Sequence, residues 1–436
     1  MKVYLDTVGC RLNQSEIETY ARQLTTAGHV LVATMEEAEL MVLNTCTVTA
    51  AAASDSRQKV RQANKAGIQR IVVTGCLSTI KPESLSKMPG VIQLVPNSDK
   101  DQLVPIILNL PVEDLDQADS SRQPVPGSRL RTRAFLKVQD GCDNRCTFCI
   151  TTVARGEGRS YPIPRVIADV HAALRGGAKE IVLTGVHLGS WGYDLDQPQR
   201  LSDLIAALLE IPEIPRLRVS SLEPWDLDAD FFDLWQDRRL CRHLHLPLQS
   251  GSASVLRRMA RKITPEGFAR LVTLARQQIP DIAITTDLIA GFPGETAEEF
   301  EEGLAFVREM KFAGAHVFTY SAREGTAAAR MPDQVHNYLR KERSAILRKA
   351  ADEDSRAFHQ TFVGRQMEVL WESAFPAREP GKWQLTGLTD NYLRVKSTAE
   401  ADLSNQITTV LLTGLAPKTN DFAGKITQYP DTISIP

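Results

Sequence analysis

The sequence predicts an α/β protein with an N-terminal doubly wound parallel sheet, a central partial TIM-type (β/α)6 barrel and a C-terminal small β-barrel. Two observations lead to this fold class. Short apolar β-type runs alternate with helical stretches up to about residue 359, a pattern typical of parallel sheets. From Gly364 onward, short β-type runs are separated by Gly, Pro and Asn turns, which favours a small closed barrel. The predicted domains span residues 1–111, 128–359 and 364–430.

The composition is that of an ordinary globular protein, with 43% hydrophobic and 24% charged residues over 436 positions. The net charge of −2 gives no global basic field, so any contact with a nucleic acid must be local. The chain starts Met1-Lys2-Val3-Tyr4-Leu5-Asp6, and we expect neither a signal peptide nor a membrane span. Seven cysteines in a chain of this size do not resemble a disulfide framework, which favours a reducing cytoplasm.

The first domain is predicted from strands and helices that alternate along the chain. The strands are Lys2–Val8, Leu40–Asn44 and Arg70–Thr74, and the helices are Ser15–Ala27 and Ala51–Ala66. Ser15 is expected to cap the first helix, because Glu18 three residues later completes a capping box. Such alternation predicts a parallel, doubly wound sheet.

A cysteine follows each predicted strand of this domain: Cys10, Cys46 and Cys76. Open α/β sheets build their sites at the carboxyl ends of parallel strands, so these side chains are expected to meet at one edge. Three thiolates there would make an iron–sulfur cluster site with one ligand position left open. The alternative is that they are small buried hydrophobes, as free cysteines often are. Cys241 has no partner in this pattern and is expected to be structural.

The segment Pro111–Arg131 is rich in Pro, Ser, Asp and Gln and is interpreted as an interdomain connection. The predicted strands of the central domain are Ala134–Val138, Glu180–Thr184, Arg216–Ser220, His243–Leu246, Ala283–Ile289 and Ala315–Thr319. The predicted helices between them are Arg165–Leu174, Leu201–Leu209, Glu266–Gln278 and Glu298–Met310. Six β/α units predict a partial barrel with its site at the C-terminal ends of the strands.

The C-terminal segment follows a charged helix predicted at Tyr338–His359. Its predicted strands are Met367–Trp371, Tyr392–Lys396 and Thr408–Thr413. Aromatic and basic residues are mixed here: Trp371, Trp383, Tyr392 and Phe422 with Arg378, Lys382, Arg394 and Lys396. Such a surface would stack bases and contact phosphates, whereas the alternative is that the aromatic side chains fill the core of the small barrel.

Three further cysteines fall within one short loop, as Cys142, Cys146 and Cys149, with the spacing C-x3-C-x2-C. A structural zinc site takes four ligands, usually as two separate pairs, and a cubane iron–sulfur cluster usually takes four thiolates. Three cysteines on one loop therefore predict a cluster with one iron left open for a further ligand.

With Phe148 before its last cysteine, this motif resembles the signature of the radical S-adenosylmethionine (SAM) superfamily. The resemblance implies that the open iron binds SAM and that reductive cleavage gives methionine and a 5′-deoxyadenosyl radical. Gly-rich and polar segments at the ends of the predicted strands are expected to cradle SAM. The candidate cofactor-binding residues are Phe148, Gly185, Ser221, Glu223, Gln249 and Asp287.

Other candidate motifs carry less information. No G-x-x-x-x-G-K-[ST] phosphate loop occurs, so nucleotide hydrolysis is not supported. Three histidines lack the helix motif of a metal site and are expected to pack or form hydrogen bonds: His187, His243 and His245. A basic run is interpreted as a solvated helix face, with phosphate binding as the alternative: Arg257, Arg258, Arg261 and Lys262.

Along essentially its whole length the chain resembles the methylthiotransferase family, which joins an auxiliary-cluster domain, a radical SAM barrel and a C-terminal TRAM domain, an OB-like barrel. The resemblance implies an auxiliary [4Fe–4S] cluster on Cys10, Cys46 and Cys76. It assigns the SAM-cleaving [4Fe–4S] cluster to the Cys142, Cys146 and Cys149 loop.

Two stretches are similar to the tRNA threonylcarbamoyladenosine branch of this family: Gly9-Cys10-Arg11-Leu12-Asn13-Gln14 and Asn44-Thr45-Cys46-Thr47-Val48-Thr49. The isopentenyladenosine branch typically has Gln-Met-Asn after its first cysteine, and the ribosomal-protein branch has Pro-Lys-Asn. The chain also departs from the family. Tyr161 stands where an Arg usually ends the Arg-Gly-x-x-x-Ser-Arg stretch, and Leu77-Ser78 follow Cys76 in place of an aromatic or Ala-Gln pair.

The implied reaction puts a methylthio group on C2 of the adenine in N6-threonylcarbamoyladenosine at position 37 of tRNA. An aromatic C–H has no acidic proton, so a general base cannot open this bond, whereas a carbon radical can. One SAM would methylate sulfur held at the auxiliary cluster, and a second would supply the radical. The implied partners are the tRNA anticodon loop and an electron donor such as flavodoxin or ferredoxin.

Two other functions are compatible with the sequence. Within the same family, the chain would methylthiolate an aspartate of a ribosomal protein, or isopentenyladenosine 37 in tRNA. In a different class, it would be an iron–sulfur RNA-binding or electron-transfer protein without radical chemistry. The oligomeric state is left open by the sequence.

Overall fold

The structure is a computed structural model that describes residues 1–110, 132–417 and 419–429. It separates into two compact units. Unit 1 comprises Met1–Arg145, Cys149–His187 and Trp191–Gln199, and unit 2 comprises Cys146–Phe148, Leu188–Ser190 and Arg200–Pro436. The predicted interdomain connection Pro111–Arg131 lies outside the described residues.

The N-terminal part of unit 1 contains a five-stranded sheet in the order β2-β1-β3-β4-β5. Its strands are β1 (Lys2–Thr7), β2 (Val30–Leu31), β3 (Leu40–Thr45), β4 (Ile71–Gly75) and β5 (Val91–Val95). All neighbouring strands are parallel. In this strand order the crevice for a ligand opens at the carboxyl ends of β1 and β3, where the direction of winding reverses.

Helices cover both faces of this sheet. They are α1 (Arg11–Thr26), α2 (Ala50–Lys65), α3 (Cys76–Ile80), α4 (Glu83–Ser86) and α5 (Leu103–Leu108). Successive residues of β3 point to opposite faces: Leu40 and Val42 join one buried cluster, and Met41 and Leu43 join the other. The predicted doubly wound parallel sheet is therefore confirmed.

The first helix begins earlier than predicted. It starts at Arg11, with Cys10 at its N-cap position, so the predicted capping box of Ser15 and Glu18 is wrong. Ser15 is buried, and its Oγ accepts a hydrogen bond of 3.0 Å from the backbone N–H of Lys137. The Ser15 hydroxyl is therefore hydrogen-bonded to a residue distant in sequence, and a local sequence pattern cannot reveal such a contact.

The remainder of unit 1 contributes β6 (Arg133–Lys137), β7 (Gln139–Asp140), α6 (Thr151–Arg155), β8 (Arg159–Ser160), α7 (Ile163–Arg175) and β9 (Glu180–Thr184). Strands β6 and β9 are parallel, in a register that pairs Arg133 with Glu180. Strands β7 and β8 form a short antiparallel pair. The C-x3-C-x2-C loop thus lies between β7 and α6.

Unit 2 continues the alternation of strands and helices. Its elements are α8 (Leu201–Leu209), β10 (Leu217–Val219), β11 (His243–His245), α9 (Ala253–Arg258), α10 (Pro265–Gln278), β12 (Ala283–Ala290), α11 (Ala297–Met310), β13 (Gly314–Thr319) and α12 (Asn337–Gln360). Strands β11, β12 and β13 form a parallel sheet in that order. Short 3-10 helices occur in the chain at Met35–Glu37, Lys100–Gln102, Leu188–Ser190, Pro224–Asp226, Asp230–Gln236 and Ala328–Arg330.

The C-terminal part of unit 2 is a closed barrel of five strands in the order β14-β15-β16-β18-β17. The strands are β14 (Gln366–Pro376), β15 (Trp383–Thr389), β16 (Arg394–Ala399), β17 (Ile407–Leu415) and β18 (Phe422–Gln428). Trp371 and Phe422 lie in its buried core, so they do not form a surface for stacking bases. The predicted small barrel is confirmed. Its buried aromatic side chains fill the core, which is the alternative that the sequence allows to a base-stacking surface.

Among the described helices, none combines the length and the apolar character needed to cross a lipid bilayer.

Candidate active site

Cys10, Cys46 and Cys76 lie at the carboxyl ends of three adjacent parallel strands, β1, β3 and β4. Cys46 and Cys76 are buried, whereas Cys10 is exposed. The pKa of Cys46 is raised to about 11, first by burial and also by the nearby sulfurs of Cys76 and Cys10. The three thiols are therefore neighbours, and a metal that bound them would displace their protons.

Two glycines allow these strand ends to approach one another. Gly9 has a φ of +109°, and a Cβ at this position would lie 2.6 Å from Cβ of Cys46. Gly75 has a φ of +96°, and a Cβ there would lie 2.4 Å from the carbonyl oxygen of Thr45. Only glycine accepts both the left-handed backbone and the crowding. Each Gly-Cys pair thus fixes its cysteine against the end of β3.

A network of buried charged groups lies in unit 1. Nζ of Lys100 is 2.7 Å from Oε1 of Glu16 and 2.5 Å from Oδ2 of Asp140. Arg155 donates to Asp140 at 2.9 Å and to Glu16 at 3.3 Å from Nη1, and to Oδ1 of Asn13 at 2.7 Å from Nη2. All five side chains belong to buried residues. Such charges persist in a protein interior because each has a partner of opposite sign.

The two carboxylates of this network and Arg155 are ionised at neutral pH. Burial alone would raise the pKa of Glu16, but Lys100, Arg155 and Lys137 lower it to about 2. The same cations hold the pKa of Asp140 below its usual range, against the effect of burial. Although burial opposes it, the carboxylates of Glu16 and Asp140 raise the pKa of Arg155 well above its usual value. Arg155 therefore places a permanent positive charge near the cysteines.

Two asparagine side chains connect this region to the sulfur atoms. Sγ of Cys10 lies 3.6 Å from Oδ1 of Asn13, the oxygen that also accepts from Arg155. Nδ2 of Asn97 donates to the carbonyl oxygen of Ala154 at 2.7 Å and lies 3.7 Å from Sγ of Cys76. Polar groups in such positions orient metal-ligating side chains and adjust the properties of the metal.

The C-x3-C-x2-C loop presents backbone N–H groups to two of its own sulfurs. The N–H of Asn144 points to Sγ of Cys142 at 3.4 Å, and the N–H of Thr151 points to Sγ of Cys149 at 3.4 Å. The N–H of Cys142 itself donates to the carbonyl oxygen of Gly156 at 3.0 Å. Hydrogen bonds to the sulfurs are one of the means by which proteins set the potential of an iron–sulfur cluster.

Cys146 belongs to unit 2, where Arg261 lies beside it. Nη1 of Arg261 is 3.8 Å from Sγ of Cys146, and Nη2 donates to Oε2 of Glu223 at 2.6 Å. The guanidinium carbon lies 4.4 Å from the centroid of the Trp225 ring. Because Arg261 is only 8% exposed, the interpretation of the basic run as a solvated helix face is wrong for this residue.

The other predicted cofactor-binding residues lie at or near the ends of their strands. Gly185 follows β9 directly, and Ser221 lies just beyond β10 and is exposed. The backbone N–H of Gln249 donates to the carbonyl oxygen of Asp287 in β12 at 2.8 Å. Oδ2 of Asp287 is 3.4 Å from Nε2 of His245. Gln249 and Asp287 are thus brought together, as are Glu223 and Cys146 through Arg261.

Phe148 packs within unit 2 rather than standing free. Its ring meets that of Phe292 edge to face, with centroids 6.5 Å apart. His243 and His245 each form a 3.0 Å hydrogen bond with Oγ1 of Thr285, which agrees with the hydrogen-bonding role expected for them. Cys241 is 1% exposed, as a structural cysteine should be.

Within the part of the chain that the structure describes, no group of three or more His, Cys, Asp or Glu side chains is spaced to enclose a single metal ion. The donor set at Cys10, Cys46 and Cys76 nevertheless fits an iron–sulfur cluster in kind, because soft thiolates are the ligands of such clusters. Asn97 supports this fit, because its Nδ2–H group is directed to Sγ of Cys76 and a hydrogen-bond donor stabilises a thiolate.

Sequence reasoning missed two residues that lie beside the cysteines, Arg155 and Arg261. Arg155 stands in an Arg-Gly stretch after the cysteine loop, and Arg261 stands in a basic run, so each carried a weak local signal. Their contacts to Asn13 and Cys146 span 142 and 115 residues of sequence. Neither contact follows from a local pattern.

Comparison with known families gives two matches along the chain. Residues 2–96 match the uncharacterized protein family UPF0004. Residues 136–307 match the Radical SAM superfamily.

Curated relatives are similar over nearly the full length. Threonylcarbamoyladenosine tRNA methylthiotransferase MtaB of Bacillus subtilis is 36% identical over 430 residues, which cover 94% of this chain and 93% of the relative. MtaB of Thermotoga maritima is 35% identical over 85% of this chain and 86% of its own. A tRNA-2-methylthio-N(6)-dimethylallyladenosine synthase of Cereibacter sphaeroides is 34% identical over 97% of this chain and 98% of its own.

Solved structures resemble the chain at low sequence identity. The radical S-adenosylmethionine methyltransferase TsrM from Kitasatospora setae has a TM-score of 0.56 and 16% identity, and the match covers 73% of this chain and 72% of TsrM. The cobalamin-dependent S-adenosylmethionine radical enzyme OxsB has a TM-score of 0.50 and 14% identity, with 81% and 56% covered. At such identities the likeness concerns the fold alone, and it confirms the predicted central barrel.

Proposed function

Because this chain belongs to the radical SAM methylthiotransferase family, we propose that it attaches a methylthio group to C2 of N6-threonylcarbamoyladenosine at position 37 of tRNA. The observation that carries the proposal is the similarity to the MtaB relatives, at 36% identity over 94% of the chain for one of them. The sequence around Cys10 and Cys46 supports the same branch.

The chain's cysteines hold the cofactors in this proposal. Cys142, Cys146 and Cys149 ligate the [4Fe–4S] cluster that splits SAM, which supplies a 5′-deoxyadenosyl radical when both are bound. Phe148, Gly185, Ser221, Glu223, Gln249 and Asp287 form the SAM cradle. Arg261 holds Glu223 in place and keeps a positive charge beside Cys146.

Cys10, Cys46 and Cys76 hold a second [4Fe–4S] cluster, at which the sulfur to be transferred is kept. Their position at the β1–β3 crevice supports this role, because open α/β sheets bind ligands at that point. Two SAM molecules are used per turnover, one as methyl donor and one as radical source. Both sets of three cysteines are present in this chain, so one chain can hold both clusters that these two reactions need.

The C-terminal barrel holds the anticodon loop of tRNA. Arg394 and Lys396 on β16 are exposed and can contact phosphates. Trp371 and Phe422 support the barrel from its core. A flavodoxin or ferredoxin supplies electrons, and the reaction takes place in the cytoplasm, where tRNA is modified.

Mass spectrometry of tRNA nucleosides from a deletion strain tests the proposal. We expect 2-methylthio-N6-threonylcarbamoyladenosine to disappear and the unmethylthiolated nucleoside to accumulate. Wild-type chain should restore it, and Cys10→Ala should not, although Cys10→Ala should still cleave SAM. Unchanged levels would reject the proposal.

The same measurement decides between substrates. Loss of the methylthio-dimethylallyladenosine instead would favour the activity named for the Cereibacter sphaeroides relative, which is 34% identical to this chain. If neither nucleoside lost its methylthio group, an aspartate of a ribosomal protein would be the next substrate to test. If no 5′-deoxyadenosine formed after anaerobic reduction with SAM, the proposed radical mechanism would be rejected.

A further inference from the structure

Helix α6 (Thr151–Arg155) joins the neighbourhoods of two cysteine sites within unit 1. Its first residue directs a backbone N–H to Sγ of Cys149 at 3.4 Å. At its other end, the carbonyl oxygen of Ala154 accepts from Asn97, which lies against Cys76, and Arg155 donates to Asn13, which lies against Cys10. One short helix therefore carries groups directed to both kinds of cysteine.

Arg155 is not needed merely to neutralise the buried carboxylates. Lys100 lies within 2.7 Å of Glu16 and 2.5 Å of Asp140, so each carboxylate already has a cation beside it. Lys137 is a further cation at 3.8 Å from both. The Nη2 arm of Arg155 is directed elsewhere, to Oδ1 of Asn13 at 2.7 Å.

We propose that Arg155 is a positioning residue of the auxiliary site: it holds Asn13, in the first turn of the helix that Cys10 caps, and supplies a permanent positive charge that makes a cluster on Cys10, Cys46 and Cys76 easier to reduce. The inference rests on the proposed function, because it requires that these cysteines hold an iron–sulfur cluster. Reduction adds one negative charge to the cluster, and a nearby fixed cation stabilises that charge, the more strongly because Arg155 is itself buried.

The carboxylate of Glu16 should have the opposite effect on the reduction potential of the cluster. Glu16 lies 3.3 Å from Arg155 and carries the charge opposite to that of the guanidinium. Removal of the Glu16 charge should therefore make the cluster easier to reduce, whereas removal of the Arg155 charge should make it harder. A side chain that served only to hold the fold would not produce opposite shifts.

The test is a potentiometric titration of the auxiliary cluster, followed by electron paramagnetic resonance. The full chain is reconstituted anaerobically with Cys142, Cys146 and Cys149 all replaced by Ser, so that the remaining signal comes from the auxiliary site. The variants added to this background are Arg155→Gln, Arg155→Lys and Glu16→Gln. The control is Arg22→Gln, which removes a partly exposed arginine of the same unit that pairs with Asp169.

We expect the midpoint potential to fall in Arg155→Gln, to return towards the parent value in Arg155→Lys, to rise in Glu16→Gln and to stay unchanged in Arg22→Gln. Iron and sulfide content is measured in every sample. If Arg155→Gln fails to hold iron, its midpoint potential cannot be measured. The midpoint potentials of Arg155→Lys and Glu16→Gln then test the inference.

Two results would overturn the inference while leaving the proposed function intact. One is a full cluster whose potential does not change in Arg155→Gln, and the other is a shift of Glu16→Gln in the same direction as that of Arg155→Gln. A parent background without iron at the auxiliary site would overturn both the inference and the second cluster of the proposed function. Iron content therefore separates the two failures.

Discussion

Nη2 of Arg155 donates a 2.7 Å hydrogen bond to Oδ1 of Asn13, across 142 residues of sequence. Asn13 lies in the first turn of α1, three residues after Cys10, and Arg155 ends α6, six residues after Cys149. The bond therefore links the segment that follows one predicted cluster ligand to the segment that follows another. Because both residues are buried, water cannot replace the bond if either partner is lost.

Asn13→Ala should destabilise the chain and weaken the auxiliary site. Besides accepting from Arg155, the Asn13 amide donates to the carbonyl oxygens of Val8 at 2.8 Å and Thr45 at 3.1 Å. These oxygens would be left without that donor, at a cost on the order of 1–3 kcal/mol for each unsatisfied buried group. Urea unfolding of the cluster-free chain and the iron content after reconstitution measure the two effects.

The control for this change is Asn64→Ala, at a half-buried position near the end of α2. It should alter the unfolding free energy by less than about 1 kcal/mol and leave the iron content unchanged. Equal losses in the two variants would show that the Asn13 amide has no special role.

Gly75→Ala and Gly67→Ala form a matched pair that separates backbone strain from crowding. The φ angles are nearly equal, +96° at Gly75 and +95° at Gly67. A Cβ at Gly75 would lie 2.4 Å from the carbonyl oxygen of Thr45, whereas nothing lies within 4 Å of a Cβ at Gly67. Gly67→Ala should cost only the left-handed backbone penalty of about 1–2 kcal/mol.

Gly75→Ala should cost clearly more, on the order of 4 kcal/mol, because β4 must move away from β3. The movement would also displace Cys76, so iron incorporation at the auxiliary site should fall. Thermal unfolding and iron analysis of both variants give the comparison. A Gly75→Ala chain as stable as Gly67→Ala would contradict the close packing of the two strand ends.

The sheet and the position of its cysteines were predictable because both follow from local patterns. Apolar runs mark β3 and β4, and the chain leaves each parallel strand at the same edge, so Cys46 and Cys76 had to lie near each other. The start of α1 was not predictable in the same way. Ser15 resembles an N-cap, but its hydroxyl accepts from Lys137 at 3.0 Å, a contact that no local rule describes.

The charged groups of the site were the least predictable part. Arg155 and Arg261 look like ordinary surface residues in the sequence, because arginine is rarely buried without a partner. Their partners, Glu16 and Glu223, are supplied by segments 139 and 38 residues away. In the C-terminal barrel, the sequence leaves Trp371 open between a surface for stacking bases and the core. It lies in the core, because a five-stranded barrel needs large side chains to fill its interior.

Arg261→Met should reduce SAM cleavage without removing the cluster ligands. The change removes the positive charge 3.8 Å from Sγ of Cys146 and leaves Glu223, which Arg261 contacts at 2.6 Å, without this cation. We expect 5′-deoxyadenosine formation after anaerobic reduction to fall at least about tenfold, equivalent to about 1.4 kcal/mol. Iron content should be measured in the same samples.

Lys262→Met is the matched control, because Nζ of Lys262 lies 6.0 Å from the ring centroid of Trp225, the ring that Arg261 also faces. It should keep the rate within about twofold of the wild type, and Arg261→Lys should recover part of the loss. Normal cleavage by Arg261→Met would mean that the buried guanidinium does not assist the SAM site.

Glu16 should make the stability of the chain dependent on acid pH. Its pKa is about 2 in the folded chain, against an ordinary value of 4.5, because Lys100, Arg155 and Lys137 outweigh the effect of burial. Between these two values the unfolded chain binds more protons than the folded chain, so stability rises with pH in this window. The contribution is complete above about pH 4.5 and is lost as the pH falls towards 2.

Urea unfolding of the cluster-free chain at pH 6, 5, 4 and 3 measures this dependence. The charge of Glu16 should account for up to about 3 kcal/mol of the stability that the wild type loses as the pH falls towards 2, with most of the window sampled by pH 3. Glu16→Gln should be less stable at pH 6, because Lys100 and Arg155 lose a buried partner, but its stability should fall less steeply with acid. Glu36→Gln, at an exposed position, should follow the wild type. Parallel curves for Glu16→Gln and the wild type would show that the buried network does not depend on the charge of Glu16.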